Sequence, residues 1–531
     1  MLETYYITLF SLSLLAALMP AWYVLRFNLH MLQLNVYKNF EQVSWLKENA
    51  RKQWLLGFLV IVGVMDCIFP NVVLHIILAV TYYLVFIVYR AMKRIYGKKK
   101  PLVFTSRVKR IVVTDLILSI IVLLIGFFTQ LGPGVVGVVV GLQFVLVMLA
   151  NLINSPIERG IRNYYINDAK RILKSCDNLV IIGITGSYGK TSMKFYLRDL
   201  LQSHFNVLAT PESYNTPMGI VKTIRESLSP RTEVFICEMG ARYVGEIKEI
   251  CDIVHPHHGV ITSIGPAHLS TFGSLENIQK TKFELSDALP RSGMLFLNAD
   301  SELVVEEANK RDINAIFYSA ADSAEADFIA EIKQLSDIGT DFSFRDASAN
   351  KTCEYHTKLV GQHNVINLAG ALAIACKLGI DLDELKIPMR RIASVPHRME
   401  LKKHGRLTII DDAFNSNPVG SKAAVETLSM FDGIRVLLTP GMVELGDDEE
   451  KYNEQFGRYA AHCSDWIVLV GEARTKPIAS GAQSEGFDIA HIKAYNTFDE
   501  AYAFASKIDT NGKQLYILFE NDLPDNYYSI T

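Results

Sequence analysis

The sequence predicts an α-helical membrane bundle of about five spans followed by two α/β domains. Three observations lead to this fold class. Long apolar runs crowd residues 1–153, short apolar strands alternate with helices from Asn178 onward, and a second such series follows residue 386. The first pattern is typical of helices that cross a bilayer. The other two are typical of parallel sheets covered by helices.

Four segments follow from this division. We expect a transmembrane helical domain at residues 1–155, a juxtamembrane linker helix at 156–177, a nucleotide-binding central domain at 178–385 and a C-terminal domain at 386–531. More than one domain is expected for a chain of 531 residues, because single cores stop growing at roughly 250–300 residues.

Composition excludes several classes of function. The net charge of −3 gives no case for a nucleic-acid partner. The seven cysteines are scattered, without a Cys-x-x-Cys pair. This argues against a zinc ribbon or a disulfide framework and fits a reducing compartment.

Five segments are apolar enough to cross a bilayer, whose core takes about 20 helical residues. They are residues 5–25, 54–69, 71–89, 111–128 and 134–153. The second segment is short and meets the third at Pro70 and Asn71, so these two form a predicted hairpin. We expect no cleaved signal peptide, because residues 1–6 carry an acid and no base.

The loops between these segments predict the orientation, because Lys and Arg in short loops tend to remain cytoplasmic. The turns after the second and fourth spans carry no basic residue. The basic residues lie after the first span (Arg26, Lys38, Lys47, Arg51 and Lys52) and after the third span (in RAMKRIYGKKK and RVKR). This predicts a multi-pass membrane protein with its N-terminus outside and everything after the fifth span in the cytoplasm.

Two features near the spans leave alternatives open. Residues 158–174, ERGIRNYYINDAKRILK, form a predicted basic helix that either rests on anionic headgroups or is a solvated linker. Asp66 and Asp115 lie in or near the second and fourth spans. Carboxylates in a membrane suggest a functional polar site, but each lies near a predicted span end, which favours placement at the interface with water.

A glycine-rich loop follows the first strand of the α/β part and opens a helix. Its sequence is GITGSYGKTS, residues 183–192. Backbone N–H groups at such a helix start, with the Lys190 ammonium, hold polyphosphate, and the Thr191 hydroxyl holds Mg²⁺. The general phosphate loop has glycine where Ile184 stands, so an ordinary strand–helix turn is the alternative. The residues predicted to bind nucleotide here are Thr185, Gly186, Ser187, Tyr188, Gly189, Lys190, Thr191 and Ser192.

Several further segments carry a resemblance to a known family. TGSYGKT is similar to the ATP loop of the Mur ligases, Thr-Gly-x-x-Gly-Lys-Thr/Ser, which accounts for the glycine spacing. Downstream, that family's order is kept by YNTPMG, EMGARYVGEI, GPAHLSTFGSLENIQKTKFEL, GQHNVINLAGALA, PHRMEL and IIDDAFNSNP. The residues within these motifs most resemble those of the branch that joins D-alanyl-D-alanine to UDP-N-acetylmuramoyl tripeptide. The similarity covers roughly residues 178–475.

The resemblance implies a phosphate-gripping central domain, a Rossmann-like C-terminal domain, and a site for ATP with two Mg²⁺ ions. Thr191 and Glu238 would hold the first Mg²⁺, and His268 would hold the second together with Lys282, converted by CO₂ to a carbamate. A carbamate is an oxygen-rich anion suited to a hard metal. Lys280 competes for this role, although the family's spacing favours Lys282. Without a metal, Glu238 would be a strand-end carboxylate and His268 a satisfied loop histidine.

The same resemblance implies further contacts to ATP. Asn364 and Asn367 are one turn apart, so both amides can face one ligand, and the family places the adenine there; capping of a helix by Asn364 is the alternative. Arg398 would pair with the γ-phosphate during transfer. Asp412 would accept from the ribose hydroxyls, or merely cap a strand end. Together with Lys190, His268 and Lys282, Arg398 makes up the predicted catalytic set.

The sequence departs from the family pattern at three places. Gly441 stands where the corresponding loop, GDMLELG, has an acid. LFENDLPDNY stands where the branch has a Lys-Gly-Ser-type loop. The predicted spans take the place of the family's uridine-diphosphate-binding domain. The first two departures bear on the amine substrate, and the third bears on how the acceptor is carried.

The expected function is therefore an ATP-dependent, ADP-forming amide ligase of cell-wall precursor synthesis. It would add D-Ala-D-Ala or a related amine to a carboxylate-ended muramoyl peptide through an acyl phosphate. The alternatives are a membrane-bound ligase of another Mur-like branch, acting in poly-amino-acid or capsule synthesis or on a lipid-linked precursor, and a receptor or scaffold that binds nucleotide without ligation.

Overall fold

The structure is a computed structural model that describes residues 2–96, 101–212, 214–311, 313–321, 326–336, 338–414, 416–443 and 445–522. The last part of the loop RAMKRIYGKKK and the second half of LFENDLPDNY lie outside the described residues. The chain forms two compact units, of which the first reaches Asn163 and the second begins at Tyr164.

The first unit is entirely helical in its described residues. Its helices are α1 (Leu2–Leu34), α2 (Asn39–Glu48), a 3₁₀ turn (Ala50–Gln53), α3 (Trp54–Ile68), α4 (Val72–Tyr96), α5 (Ser106–Phe128), α6 (Gly134–Gly141) and the start of α7 (Gln143–Lys174). Asn71 caps the start of α4 by accepting a hydrogen bond from the Leu74 N–H, and α3 and α4 contact each other, so the predicted hairpin is present.

Four of these helices are long and apolar enough to cross a membrane: Thr4–Leu34, Val72–Met92, Ser106–Phe128 and Gln143–Lys174. The second predicted span is α3, an apolar helix of 15 residues. At 1.5 Å per residue it is roughly 22 Å long, which is shorter than a bilayer core of about 30 Å. The described residues therefore contain four helices of spanning length where five were predicted.

The fifth predicted span, residues 134–153, is not one helix. It is divided between α6 and α7 at Leu142. A Cβ atom on Gly134 would collide with the carbonyl oxygen of Gly63, and one on Gly141 would collide with Val60. Glycine lets α6 lie against α3 in this way, but it also lowers helix propensity, which is consistent with the break.

Both carboxylates of the apolar region are turned into the helical unit. Asp115 is 1% exposed, and its Oδ2 accepts a hydrogen bond of 2.6 Å from Gln143, the first residue of α7. Asp66 is fully buried, with Oδ1 3.1 Å from Nε2 of His75. Each carboxylate thus has a polar partner on another helix, and the expected placement near the interface with water stays a prediction.

The end of α7 belongs to the second unit and packs on its sheet. Ala169 is fully buried in a cluster that includes Ile181 and Phe235, two strand residues. Asp168 pairs with Arg225 at 2.6 Å. The predicted separate linker helix is thus the continuation of α7, and one of its faces is covered by protein instead of lying in solvent.

The second unit continues with a nine-stranded sheet, in the order β2-β3-β1-β4-β5-β6-β7-β8-β9. The strands through β7 are parallel, and β8 and β9 extend the sheet in antiparallel fashion. The strands are β1 (Val180–Thr185), β2 (Val207–Ala209), β3 (Val234–Glu238), β4 (His258–Ile261), β5 (Leu295–Asn298), β6 (Ile316–Ser319), β7 (Phe328–Ser336), β8 (Gly339–Asp346) and β9 (Lys351–Thr357).

Helices join these strands and form the main core with them. They are α8 (Lys190–Leu201), α9 (Pro217–Ser227), α10 (Glu246–Val254), α11 (Leu269–Phe272), α12 (Leu275–Asp287), α13 (Glu302–Arg311), α14 (Gln362–Lys377) and α15 (Lys386–Arg391). The small residues of α14 allow close packing: a Cβ atom on Gly370 would collide with Met193 of α8.

A six-stranded sheet follows, in the order β10-β11-β15-β12-β13-β14, with only the edge strand β10 antiparallel to its neighbour. Its elements are β10 (Glu400–His404), β11 (Leu407–Asp412), α16 (Pro418–Ser429), β12 (Ile434–Thr439), α17 (Glu449–Cys463), β13 (Trp466–Val470), α18 (Glu472–Ser484), β14 (Ile492–Tyr495), α19 (Phe498–Ala505) and β15 (Leu515–Glu520). The predicted α/β alternation is confirmed in both sheets.

Candidate active site

The phosphate loop lies between the carboxyl end of β1 and the start of α8, beside the ends of β3 and β4. Ligands of open parallel sheets bind at such carboxyl ends. Gly186 and Gly189 have φ angles of +146° and +80°, which favour glycine. A side chain at Gly186 would collide with Thr262, and one at Gly189 with Asn367. Both glycines are thus required by close packing as well as by backbone conformation.

The other loop residues hold this conformation. Thr185 donates to the carbonyl oxygen of Met239 at 3.0 Å, and Ser187 donates to that of Gly265 at 3.0 Å. The Tyr188 ring packs against Gly265, and its hydroxyl is buried without a hydrogen-bond partner among the described residues. Ser192 is 8% exposed within α8. Contacts with residues outside the loop therefore fix its conformation, while its N–H groups at the helix start remain suited to an anion.

Lys190 lies over its own loop. Its Nζ donates to the carbonyl oxygens of Gly186, at 2.7 Å, and Ser187, at 3.1 Å. Burial lowers the pKa of Lys190 to about 8; Glu238 opposes this change and Arg398 adds to it. The ammonium is thus held by two neutral acceptors in a site that already contains another cation, and it is well placed for an incoming polyanion.

Glu238 ends β3 next to the loop. Its Oε1 accepts from Thr191, at 3.1 Å, and from Asn215, at 2.9 Å. Its Oε2 is buried and lies 2.9 Å from Nζ of Lys194, its one partner among the described residues. Burial tends to raise the pKa of Glu238, but Lys194 and Lys190 outweigh it, so the pKa lies below its usual range.

This donor set fits Mg²⁺. The ion is commonly held by one or two carboxylates together with substrate phosphates and water, and Glu238 and Thr191 provide a carboxylate and a hydroxyl beside the phosphate loop. Oε2 has one partner, Lys194, where Oε1 has two, so Oε2 is the oxygen with a lone pair left for a cation. No group of three or more His, Cys, Asp or Glu side chains suited to a metal occurs in the part of the chain that the structure describes, so the remaining ligands would come from phosphate and water.

Lys282 is buried on α12, while its competitor Lys280 is not. Lys282 is 3% exposed, with Nζ 5.7 Å from the centre of the Phe272 ring. Burial lowers its pKa to about 7, and the Lys190 charge contributes. Lys280 is exposed and pairs with Glu276 at 2.8 Å. Of these two lysines, only Lys282 therefore faces the interior near Lys190.

His268 precedes the short helix α11 that ends at Phe272. It adopts a left-handed conformation, with φ of +54°. Its carbonyl oxygen accepts from the N–H of Phe272 at 3.1 Å. The Phe272 ring, which contacts Lys282, is thus one helical turn from His268. Both predicted ligands of the second metal therefore belong to one local structure.

Arg398 and Asp412 lie at the second sheet: Arg398 just before β10 and Asp412 at the end of β11. The guanidinium of Arg398 lies 4.3 Å from the centre of the Phe414 ring. Burial lowers its pKa against the opposing charges of Asp412 and Glu238. Asp412 accepts from the N–H of Met399 at 3.2 Å, and burial raises its pKa to about 6 although Arg398 opposes the rise. Arg398, just before the second sheet, thus lies close enough to Asp412 and Glu238 for both charges to act on it.

The two asparagines of α14 have different partners within the protein. Asn364 donates to the carbonyl oxygen of Val360 at 2.8 Å and accepts from the Tyr196 hydroxyl at 2.7 Å. Asn367 donates to the carbonyl oxygen of His363 at 2.8 Å, and its Oδ1 lies against Gly189. The amide of Asn364 thus has partners within the core, and its contact with adenine stays a prediction.

Three residues of this region were not predicted from the sequence. Lys194 joins Glu238, and its one signal was the spacing of one helical turn from Lys190. His363 has a buried Nδ1 atom without a partner among the described residues, and burial lowers its pKa to about 4. Glu520, in LFEND, ends β15 and accepts from Thr439 at 2.7 Å and from Ser416. A buried side chain of this kind has no sequence signal apart from its place at a strand end.

Gly441, where the sequence lacks the expected acid, has φ of +81°, and its N–H donates to Thr439. Asn521 donates to the carbonyl oxygen of Gly441 at 2.6 Å. The two sequence departures therefore meet at the carboxyl ends of β12 and β15. This part of the second sheet is bound together by its own hydrogen bonds.

Comparison with known proteins identifies both α/β parts. Residues 184–375 match the Mur ligase middle domain, and residues 397–518 match the Mur ligase glutamate ligase domain. The chain belongs to the Mur ligase family. The elements that converge on the site, from β1 and the phosphate loop through β3 to Arg398 and Asp412, fall within these two Mur ligase domains or at their edges.

Two relatives of the Mur ligase region carry the same name. The chain is 29% identical over 294 residues to the UDP-N-acetylmuramoyl-tripeptide–D-alanyl-D-alanine ligase of Escherichia coli K12, covering 55% of this chain and 64% of the relative. It is 32% identical over 319 residues to the ligase of that name from Mycobacterium tuberculosis H37Rv, covering 58% of this chain and 62% of the relative. The chain thus spans less than two thirds of the length of these curated relatives.

Solved structures agree with this fold. MurF from Acinetobacter baumannii superposes with a TM-score of 0.61 at 25% identity, covering 68% of this chain and 77% of that one. MurF ligase from Thermotoga maritima, in complex with ADP, gives a TM-score of 0.60 at 21% identity, covering 69% and 81%. The second likeness is one of fold alone. Residues 2–174, with the apolar helices, precede both matched Mur ligase domains.

Proposed function

We propose that this Mur ligase is an ATP-dependent, ADP-forming amide ligase of peptidoglycan precursor synthesis. It adds D-Ala-D-Ala, or a related amine, to the terminal carboxylate of a muramoyl tripeptide. The observation that carries the proposal is the convergence of Lys190, Glu238 and Arg398, from two Mur ligase domains, around one phosphate loop. The names of the relatives support the choice of substrates.

The chemistry requires activation of a poor acyl donor. An oxygen of the acceptor carboxylate attacks the γ-phosphorus of ATP, and the bond to ADP breaks. The donor amine then attacks the acyl carbon, phosphate leaves, and the nitrogen loses a proton as the amide forms. Such phosphoryl transfer depends on positioning and on neutralisation of charge.

Residues of this chain fit the transfer step. The N–H groups of the loop and Lys190 bind the phosphates, and Arg398 balances charge on the phosphoryl group as it moves. Glu238 and Thr191 hold Mg²⁺, which when bound neutralises phosphate charge.

Other residues complete the proposed site. His268 and Lys282 would hold the second ion, next to the loop that carries Lys190. Asn367, which lies against Gly189 of the phosphate loop, and Asp412, at the end of β11, would complete the contacts to the nucleotide.

Carbamoylation of Lys282 is part of this proposal. The reaction joins a neutral amine to CO₂ with loss of one proton. Burial beside the Lys190 charge favours the neutral amine, and the product would bring a negative charge to a site rich in cations. The exposed Lys280, paired with Glu276, lacks this environment.

The location proposed is the bacterial cytoplasmic membrane, with several spans, the N-terminus outside and both Mur ligase domains in the cytoplasm. Support comes from the placement of basic residues and from four helices of sufficient length and apolarity. The short apolar helix α3 would supply the fifth crossing that this orientation requires, with local thinning of the bilayer. Single cysteines introduced at Asn71 and at Gln130, in a chain with Cys67→Ser, test this topology by labelling from outside intact cells. Protection of both positions would contradict it.

A lipid-linked acceptor is a variant of the same function. It is favoured by the apolar helices, which lie outside both family matches. Full-length protein in nanodiscs, with ATP, Mg²⁺ and D-Ala-D-Ala, should form product from a UDP-linked or a lipid-linked tripeptide. Turnover of the UDP-linked acceptor alone would exclude the lipid variant, and no turnover of either would contradict the proposed substrates.

A further inference from the structure

Lys194 is a buried lysine one turn beyond Lys190 on α8. Its side chain is fully buried, with Nζ 2.9 Å from Oε2 of Glu238 and 4.4 Å from the centre of the Phe195 ring. It also donates to the carbonyl oxygen of Glu212. A buried ammonium is costly unless it is paired and hydrogen-bonded, and here one ammonium joins a carboxylate to a backbone carbonyl.

The carbonyl belongs to a segment that contacts Glu238 at further points. This segment, residues 210–216, follows β2, and its Ser213 lies outside the described residues. Thr210 accepts from the N–H of Glu238 at 3.2 Å, and Asn215 donates to Oε1 at 2.9 Å. Glu212 has φ of +40°, in the left-handed region. Lys194 thus holds a turn whose conformation is unfavourable for a residue with a side chain.

These contacts fix the two carboxylate oxygens differently. Oε1 is occupied by Thr191 and Asn215. Oε2 has Lys194 at 2.9 Å and no second partner among the described residues, so one of its two lone pairs remains for a cation. A counter-ion alone would need no contact with Glu212.

We propose that Lys194 is a positioning residue that orients Glu238 toward the metal and ties it to residues 210–216. This inference rests on the proposed function, because it assumes that Glu238 binds the metal that accompanies the nucleotide. Lys194 acts through Glu238 and does not itself contact the reacting atoms.

Binding of Mn²⁺ in the presence of ADP tests the role without turnover. Free Mn²⁺ is measured by electron paramagnetic resonance on the full chain in detergent. Replacing Lys194→Met should weaken Mn²⁺ binding about 10-fold, as expected when a partner of a metal ligand is lost. Lys194→Arg should recover part of the affinity. Lys310→Met, which removes an exposed lysine paired with Glu306, is the matched control and should change nothing.

The direction of the effect separates positioning from simple charge balance. If Lys194 were only a counter-ion, removing its charge would strengthen Mn²⁺ binding, since like charges repel. Unchanged or tighter binding by Lys194→Met would therefore overturn the inference. If that variant does not fold, Lys194→Arg decides, because the larger guanidinium keeps the charge but disturbs the contacts with Glu238 and Glu212, so it should weaken Mn²⁺ binding; unchanged affinity would overturn the role. Failure of the unaltered chain to bind ADP would instead overturn the proposed function.

Discussion

Nζ of Lys190 lies 2.7 Å from the carbonyl oxygen of Gly186, at the opposite end of the same loop. The ammonium holds the loop closed on itself through neutral acceptors. A polyphosphate would offer charged oxygens in their place, and hydrogen bonds between charged groups are stronger. Binding of nucleotide should therefore draw Lys190 away from its own backbone.

Replacing Lys190→Met should weaken ADP binding by about 10-fold or more, since a charge-assisted contact of about 1.5–3 kcal/mol is lost. The measurement is calorimetric titration of the full chain with ADP. Lys310→Met is the control. Equal affinity in the Lys190 variant would mean that the loop binds phosphate through its backbone alone.

Replacing Lys282→Ala should abolish ligation while ADP binding remains within a few-fold of the unaltered chain. A carbamate is needed only as a ligand for the second metal, so a short carboxylic acid added to the assay should restore part of the activity. Phosphate release with ATP, acceptor and donor amine measures the loss and the restoration of activity, and calorimetric titration measures ADP binding. Lys280→Ala, on the exposed face of the same helix, should be fully active. Full activity of Lys282→Ala would exclude a role for a carbamate at this position.

Asn364→Ala should lower stability more than nucleotide affinity. The change leaves the buried Tyr196 hydroxyl and the Val360 carbonyl without their partner, which costs about 1–3 kcal/mol. Thermal unfolding, followed by circular dichroism with and without ADP, separates the two effects. A loss of ADP affinity with an unchanged unfolding midpoint would instead support the predicted contact of Asn364 with adenine.

The sequence predicted the architecture where the physical signal is local. Strand and helix alternation predicted both sheets, and GITGSYGKTS predicted the turn between β1 and α8. The break at Leu142 was missed because residues 134–153 are uniformly apolar, and hydropathy carries no information about the close approach of Gly134 to Gly63.

Side-chain direction was predicted less well than position. The spacing of Asn364 and Asn367 correctly places both on one helix, but which partner each amide takes depends on Tyr196 and Gly189, far away in the chain. Lys194 was missed for a similar reason. Its burial and its contact with Glu238 arise from the packing of α8 beside β3, which its spacing from Lys190 alone does not reveal.

Glu520 gives a prediction about pH. Burial raises its pKa from 4.5 to about 7, although Ser416 and Thr439 donate to it. Between these values the unfolded carboxyl is ionised while the folded one keeps its proton, so the folded state binds more protons and its stability falls as pH rises. The difference amounts to about 3 kcal/mol above pH 7. The glutamine in Glu520→Gln cannot ionise. The unfolding midpoint of this variant should therefore rise relative to that of the unaltered chain as the pH increases from 5 to 8. A constant difference between the two midpoints across that range would show that Glu520 titrates normally in the folded protein.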